Sequence, residues 1–508
     1  NKAGIFYSRR IGIQAPSKVT QTMLKPNEYL ENIPGSSQLY NASKISGRNS
    51  KGLGIGVFNA VNAEQIGTAV STLDESRRDV LISPLTNYNV VVFDQNLKNN
   101  SSVTFTNTNV WRSGSFYDAN VSAFNFNINS KDNNYNINGK GILSAQLDAS
   151  NTLGHNLNLN IQKQRGSLIG GLGYLEESDT YDPNDLGFNY NNNRRVFEAS
   201  MAYRDFEPQW KKLMKWSVNA SFSQTYLYNP SVFTSNMASL NFFTVTKKFN
   251  AFGGNGGATL KPTQDYFEPR TDGAVFTIPQ FYFFNTWFST NYQRKVAIDA
   301  GGSMNQYIGN PWKQYAYNFS PRLRLSDAIF LIYSFEKELQ YNNLGYAIPF
   351  ATPAMSYQGI LFGQRNRNTT IQAIALDYIM TNRMSLSLRL RHYRSTLQYE
   401  SFSLLQEDGS LNLLPDFNGL TTEGKSAYDI NYNAFTIDLV YRWVFMPGSE
   451  INIVWKNSVF ASNDAVSVAY WQDLSSTLQT NALNSFSFKL IYWLDAQQLS
   501  KGRSILPR

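Results

Sequence analysis

Long runs of strict alternation between apolar and polar residues constrain this chain more than any other feature. Phe486, Phe488, Leu490, Tyr492 and Leu494 alternate with Ser485, Ser487, Lys489, Ile491 and Trp493. Phe435, Ile437, Leu439, Tyr441 and Trp443 alternate with Ala434, Thr436, Asp438, Val440 and Arg442. The same pattern runs through Leu157 to Ile161, Tyr315 to Phe319 and Leu386 to Leu390. Successive strand residues point to opposite faces, so each run reads as a strand with one apolar and one polar side. A soluble sandwich has the same period, but its strands are about 5–6 residues long. The runs here are on the order of 10–15 residues, and about 9–11 tilted residues cross a bilayer. A soluble sheet protein of this size also needs wholly apolar core strands, and few occur. The longest apolar stretches are short and interrupted, as in Phe276 to Phe288. Helical periodicity is confined to Ala63 to Arg78 and Gln497 to Arg503, both modest candidates.

The connections alternate in length. Brief turns are expected near Lys131–Asn134, Arg165–Gly166, Lys248–Ala251, Ser326–Asp327, Thr381–Arg383 and Met446–Ser449. Long polar links fall near Glu176–Asn193, Leu260–Gly273, Asn342–Asn368, Ser401–Asp429 and Ala461–Asn484. Short periplasmic turns and long outer loops are the habit of outer-membrane barrels. The expected fold is therefore all-β: a transmembrane antiparallel β-barrel of about 18–20 strands, even-numbered as bacterial single-chain barrels are. Its parts would be an N-terminal linker or plug over residues 1–50, the barrel over 51–496 and a periplasmic tail over 497–508. Within the first fifty residues only Leu39 to Ile45 looks strand-like. No signal peptide opens the chain, although export to the outer membrane requires one, so a preceding portion is expected. Both termini would lie in the periplasm.

An amphipathic ring is favoured at headgroup depth, which gives such barrels aromatic girdles. Trp210, Trp216, Trp443 and Trp493 are expected near periplasmic strand ends, and Trp111 and Trp312 near the opposite ends. The polar rows should face a wide lumen. They are dominated by Asn, Ser and Thr, with Arg322, Arg324, Glu336, Arg389, Arg391, Asp438, Arg442 and Lys489 as lumen-facing charges. Two readings suit these charges. One is a wet wall held by cross-strand hydrogen bonds and ion pairs; in the other, Arg322, Arg324, Arg389 and Arg391 form a basic constriction or grip an inserted plug segment.

Composition narrows the chemistry. Charged residues make up 16% of the 508, which is low for a soluble domain, and aromatics reach 14%, which argues against disorder. The absence of cysteine excludes a disulfide scaffold, a thiolate zinc site and a cysteine nucleophile. No run of about 18 consecutive apolar residues exists to make a membrane helix. His155 and His392 are far apart and lack metal-ligand spacing, so no metal, cofactor or catalytic site is expected. Gly52, Gly54 and Gly56 lie inside an alternating run and open no helix, and Phe252 to Gly257 lacks the Lys-Ser/Thr of a phosphate loop. Asp182 to Asp185 reads as an Asx-rich turn, with calcium as the alternative. The formal charge of +8 coincides with no nucleic-acid motif. Outer-membrane lipid and lipopolysaccharide are its expected partners, with other outer-membrane or periplasmic proteins alongside. Loop aromatics such as Tyr181, Phe188, Tyr190, Phe402, Phe417 and Tyr428 are candidates for stacking on glycans.

Four strings carry a resemblance: Phe6 to Gly12 (FYSRRIG), Gly52 to Ala60 (GLGIGVFNA), Asn87 to Ser101 (NYNVVVFDQNLKNNS) and Lys489 to Asp495 (KLIYWLD). They resemble an uncharacterised outer-membrane family of Bacteroidota whose full-length members carry an N-terminal domain similar to family-nine carbohydrate-binding modules. The resemblance covers nearly all of this chain as the C-terminal domain of such a protein; the module itself is not in it. It implies glycan association by analogy only and supplies no catalytic residues. The leading expectation is a channel-like or plugged barrel linked to glycan uptake or handling. A non-transporting structural or accessory subunit of an outer-membrane complex is the second, and an enzyme is not expected.

Overall fold

The structure, a computed structural model, describes residues 4–12, 24–31, 37–348, 359–421 and 423–493. It divides into two compact units, Asn1–Arg204 with Asn219–Asn236, and Asp205–Val218 with Met237–Arg508. The expected tail at 497–508 and the helix candidate at 497–503 lie outside the described residues.

The first unit begins with β1 (Glu28–Glu31), β2 (Leu39–Arg48), β3 (Leu53–Asn62), β4 (Gln65–Ser71), β5 (Arg77–Ser83) and β6 (Thr86–Asn96). It continues through β7 (Ser102–Arg112), β8 (Asp118–Asn129), β9 (Tyr135–Leu147), β10 (Thr152–Lys163), β11 (Leu168–Glu177) and β12 (Arg194–Asp205). Strands β2, β3 and β6 to β12 make one sheet, each antiparallel to the next. Pairing thus reaches back to Leu39, across a four-residue turn in which Asn49 Oδ1 accepts the amides of Lys51 and Leu53. Two strands, β13 (Leu213–Tyr226) and β14 (Phe233–Thr246), are divided between the units.

The second unit holds β15 (Ala251–Ala258), β16 (Thr263–Asp265), β17 (Phe276–Ile278), β18 (Phe281–Ser289), β19 (Val296–Tyr307) and β20 (Lys313–Arg324). After them come β21 (Ile329–Tyr346), β22 (Leu361–Thr381), β23 (Met384–Leu405) and β24 (Leu411–Leu413). Last are β25 (Ile430–Met446), β26 (Ser449–Asn463), helix α1 (Tyr470–Leu478) and β27 (Leu483–Ile491). A large antiparallel sheet runs from β14 and β15 through β18 to β23 and on through β25 to β27. No described helix is long and apolar enough to cross a membrane.

One helix expectation is overturned. Ala63 to Arg78 forms the hairpin β4–β5, which β1 extends to a three-stranded sheet. Gly67 and the β-branched Thr68 and Val70 disfavour a helix. Asp74 folds the turn by accepting the amide and hydroxyl of Ser76, at 3.1 and 2.7 Å. Arg78 clamps the sheet through Glu28 at 2.6 Å and holds that carboxyl down at about 2.

Connections are short at one end of each sheet, as at 130–134, 164–167, 325–328 and 447–448. At the other end they include 178–193, 259–280, 406–429 and 464–482. In the first unit one face exposes Ile55, Phe93, Phe105, Phe124, Leu143, Leu157 and Leu172. In the second, the matching parity exposes Phe242, Phe284, Tyr317, Phe319, Ile374, Ile453, Phe486 and Phe488. The opposite face of each sheet carries the polar rows.

Candidate functional site

The polar face of the first unit is an amide lattice. Alternation puts Asn158, Asn160 and Gln162 of β10 on it, in register with Lys140, Asn138 and Asn136 of β9. Asn136 donates to Asn127 at 2.8 Å and Asn129 at 2.9 Å, and Asn160 donates to Asn158 at 2.7 Å and Asn138 at 3.2 Å. Each amide supplies donors and an acceptor, so such a wall can satisfy itself and still offer groups to a polar solute.

Toward the long-connection end the same face turns apolar and is covered. Ala60, Tyr88, Val90, Val110 and Ala119 pack under Leu186, with Phe6 and Ile11 against them. Ile5 is fully buried with Val121, Ala123, Ile142 and Tyr181. Two segments make this cover: residues 4–12 and the connection 178–193. The Tyr7 amide donates to the Leu186 carbonyl at 2.6 Å, and Arg10 reaches the Gly187 carbonyl at 3.1 Å and Asn184 at 3.2 Å. Asp185 pairs with Arg112, their side chains 4% and 6% exposed, and also accepts from the Tyr117 hydroxyl at 2.8 Å. Gly187 is required here, because a Cβ would sit 2.8 Å from the Pro183 carbonyl oxygen and 3.1 Å from Ile5. Burial and the neighbouring Asp185 push the Tyr117 phenol up. Asp182 accepts the Asn184 amide at 2.9 Å and Gln146 at 3.0 Å, which is an Asx turn pinned to β9. No cluster of metal-ligating side chains occurs among the described residues.

The eight charges expected to share a face do so, all in the second unit. Arg322 opposes Ile332, which opposes Ala375, which opposes Arg389, which opposes Asp438. Glu336, Arg391, Arg324, Arg442 and Lys489 follow by even spacing and register. Strands β21 and β22 separate Arg322 from Arg389, about 14 Å at ordinary strand spacing. Asp299 binds Arg322 at 2.7 Å, and Glu450 binds Arg442 at 2.5 Å. Arg324 lies over Phe330 and Arg391 over Tyr393, at 5.3 and 5.9 Å. Asp438 faces Arg389 across the strands and lies 3.7 Å from Lys456. Arg322, Arg324 and Arg442 are thus each held by a group on an adjacent strand.

Of the six tryptophans expected at strand ends, Trp111, Trp210, Trp443 and Trp493 are exposed. Trp216 is half-buried and stacks on Trp210 at 5.9 Å. Trp312 differs: it is 7% exposed and stacks on Tyr307 at 4.1 Å, so it is enclosed where an interfacial ring must be accessible. The loop aromatics divide likewise, with Phe188 and Tyr190 exposed and Tyr181, Phe402 and Tyr428 buried. His155 lies 3.2 Å from Glu176, near the end of β10.

Sequence reasoning missed a second cover. Helix α1 lies on the apolar-parity face of β23 and β25, beyond the exposed rows. Arg394 binds Asp473 at 2.6 Å and the Val468 carbonyl at 2.7 Å, and Asn431 donates to the same Asp473 oxygen at 2.7 Å. His392 is buried beside them, 2.6 Å from the Tyr470 hydroxyl. The signal was Arg394 and Thr396, polar residues that continue the row of Leu386, Leu388 and Leu390.

A family model described as "Domain of unknown function (DUF5916)" matches residues 1–503, and the chain belongs to that family. No curated protein matches the chain.

Proposed function

We propose that this member of the DUF5916 family is a transmembrane β-barrel of the Gram-negative outer membrane, with about 18–20 strands. The apolar-parity faces would meet lipid and the polar faces would line a lumen, with short turns and termini in the periplasm. The observation that carries this reading is the accessible apolar row. Leu143 is 67% exposed, Leu172 66%, Phe284 58% and Phe486 75%, in strands whose other side is polar. A soluble monomer rarely leaves contiguous apolar surface beyond a few hundred Å² in water. Bilayer hydrocarbon removes that difficulty, and the polar lattice of Asn136, Asn138, Asn158 and Asn160 suits a wet interior. The +8 charge suits the anionic phosphates of lipid and lipopolysaccharide.

The function we assign is passage, with the barrel channel-like or plugged and linked to glycan uptake or handling. Residues 4–12 and 178–193 would act as the plug. The same cover also favours a second reading, a non-transporting subunit of an outer-membrane complex, because it fills space that a free pore leaves open. The refolded or native protein in detergent should run as a compact, heat-modifiable band, and in planar bilayers it should give step currents. A band indifferent to boiling removes the barrel. Heat-modifiability without current, together with co-purifying envelope proteins, selects the second reading.

A further inference from the structure

The glycine-rich string Phe252 to Gly257 lies in strand β15 and pairs with β18 residue for residue. On the polar face, Gly253 opposes Trp287, Asn255 opposes Asn285, and Gly257 opposes Phe283. Three indole atoms of Trp287, Cε2, Nε1 and Cζ2, occupy the space that a side chain at position 253 would fill. The Phe283 ring does the same at Gly257, where a Cβ would meet it at 2.7 Å. A missing side chain therefore makes a bed for each ring on the neighbouring strand. Trp287 keeps 40% of its surface exposed, so the indole leans on the wall and remains accessible. Between the two rings, Asn285 donates to Asn255 at 3.2 Å.

The rings continue in both directions on this face. Phe243, which opposes Gly253 from β14, has its centroid 6.0 Å from Trp287. Phe281 lies 6.4 Å from Phe283 and 6.3 Å from Tyr307, which stacks on Trp312. The aromatic line thus runs from the long-connection end of the sheet toward its short-turn end. Phe283 and Trp287 are four residues apart, about 13 Å along a strand. Beside Trp287 a groove of about 420 Å³ is lined by Asn285, Ser303, Asn318, Glu336 and Glu338. By parity these rings face away from the row of Phe284 and Phe288, so they are not part of a lipid-facing girdle. A ring over a glycine also stabilises a sheet by itself, so the ligand argument rests on Trp287, which keeps 40% of its surface exposed beside a polar groove.

The geometry points to a binding track for a neutral oligosaccharide along Phe281, Phe283, Trp287 and Phe243. The apolar faces of successive sugar rings would lie on the aromatic rings, and the amides and hydroxyls of the groove would take the sugar hydroxyls. The charges nearby come in both signs: Asp299 is bound to Arg322 and Glu338 to Arg367, Glu336 and Lys337 both line the groove, and Lys215 lies over the Phe243 ring at 5.5 Å, so no row of one sign selects a charged sugar. This inference rests on the barrel reading, since only there is the polar face a passage.

The test uses the whole chain in detergent, titrated by calorimetry with maltohexaose, cellohexaose and xylohexaose, and with hexagalacturonate as an anionic comparator. Wild type should bind at least one neutral hexasaccharide more tightly than hexagalacturonate. Trp287→Ala should weaken binding on the order of tenfold, as loss of one stacking platform does for other flat ligands. Trp287→Phe should recover most of it. Heat-modifiable mobility of every variant reports the fold and the barrel independently of the sugar. A heat-modifiable wild type that binds no neutral hexasaccharide, prefers hexagalacturonate, or binds equally well as Trp287→Ala overturns the track while leaving the barrel standing. Loss of heat-modifiability in the wild type overturns the barrel first.

Discussion

Arg394 and Asp473 are 7% and 5% exposed, and they tie helix α1 to the sheet. Such a pair is enclosed but well satisfied, since Arg394 also has the Val468 carbonyl and Asp473 also has the Asn431 amide. Removing one partner of a buried pair leaves an uncompensated charge, at about 3–5 kcal/mol. Asp473→Leu should therefore destabilise the fold by an amount of that order, read as a lower urea midpoint or a lower temperature at which the compact band converts. Removing both charges should recover much of the loss, because an apolar pair of similar volume is often neutral there. The double variant Arg394→Met/Asp473→Leu is thus expected to be more stable than Asp473→Leu alone. If the double is as unstable as the single, the interaction is not what holds α1 in place.

Strands were the most legible elements, because period-two alternation survives over runs such as Leu157 to Ile161 and fixes which residues share a face. The eight lumen-assigned charges fall on one face for that reason alone. The covers were not legible. The buried ends of residues 4–12 and 178–193 meet across more than 170 positions, as in Arg10 with Gly187, and no local period encodes such a contact. The helix candidate at Ala63 to Arg78 failed for the complementary reason. Its apolar spacing fits a turn of helix, but Gly67, Thr68 and the Asp74 turn favour a hairpin. The cover makes its own prediction. Arg112→Ala strips the buried Asp185 of its cation, and Arg10→Ala removes the bonds to Gly187 and Asn184. Either variant should raise amide exchange of residues 5–11 and 178–193 while leaving β9 and β10 protected. Unchanged exchange would mean that packing of Ile5, Phe6 and Leu186 alone seats the segment.

For the whole molecule, the decisive question is which solvent each face meets, and two adjacent residues of β10 can decide it. Leu157 is 45% exposed on the apolar row, while Asn158 lies on the amide lattice. In water an arginine at position 157 is nearly harmless, because a surface substitution away from special features usually stays within about 0.5 kcal/mol. Against hydrocarbon the same arginine costs about 2–4 kcal/mol near the bilayer midplane, and less toward either interface. Asn158→Arg points to the other side, where water can solvate it, so its effect should be limited to the bond it breaks with Asn160. The prediction is a difference between neighbours. Refolded into lipid vesicles, Leu157→Arg should unfold at distinctly lower denaturant than Asn158→Arg, and Leu172→Arg on β11 should behave like Leu157→Arg. A soluble sheet would give the reverse order or no order, since Leu157 would then be the exposed residue and Asn158 the networked one. The substitution pair therefore separates a lipid-facing row from a solvent-facing row without a pore measurement.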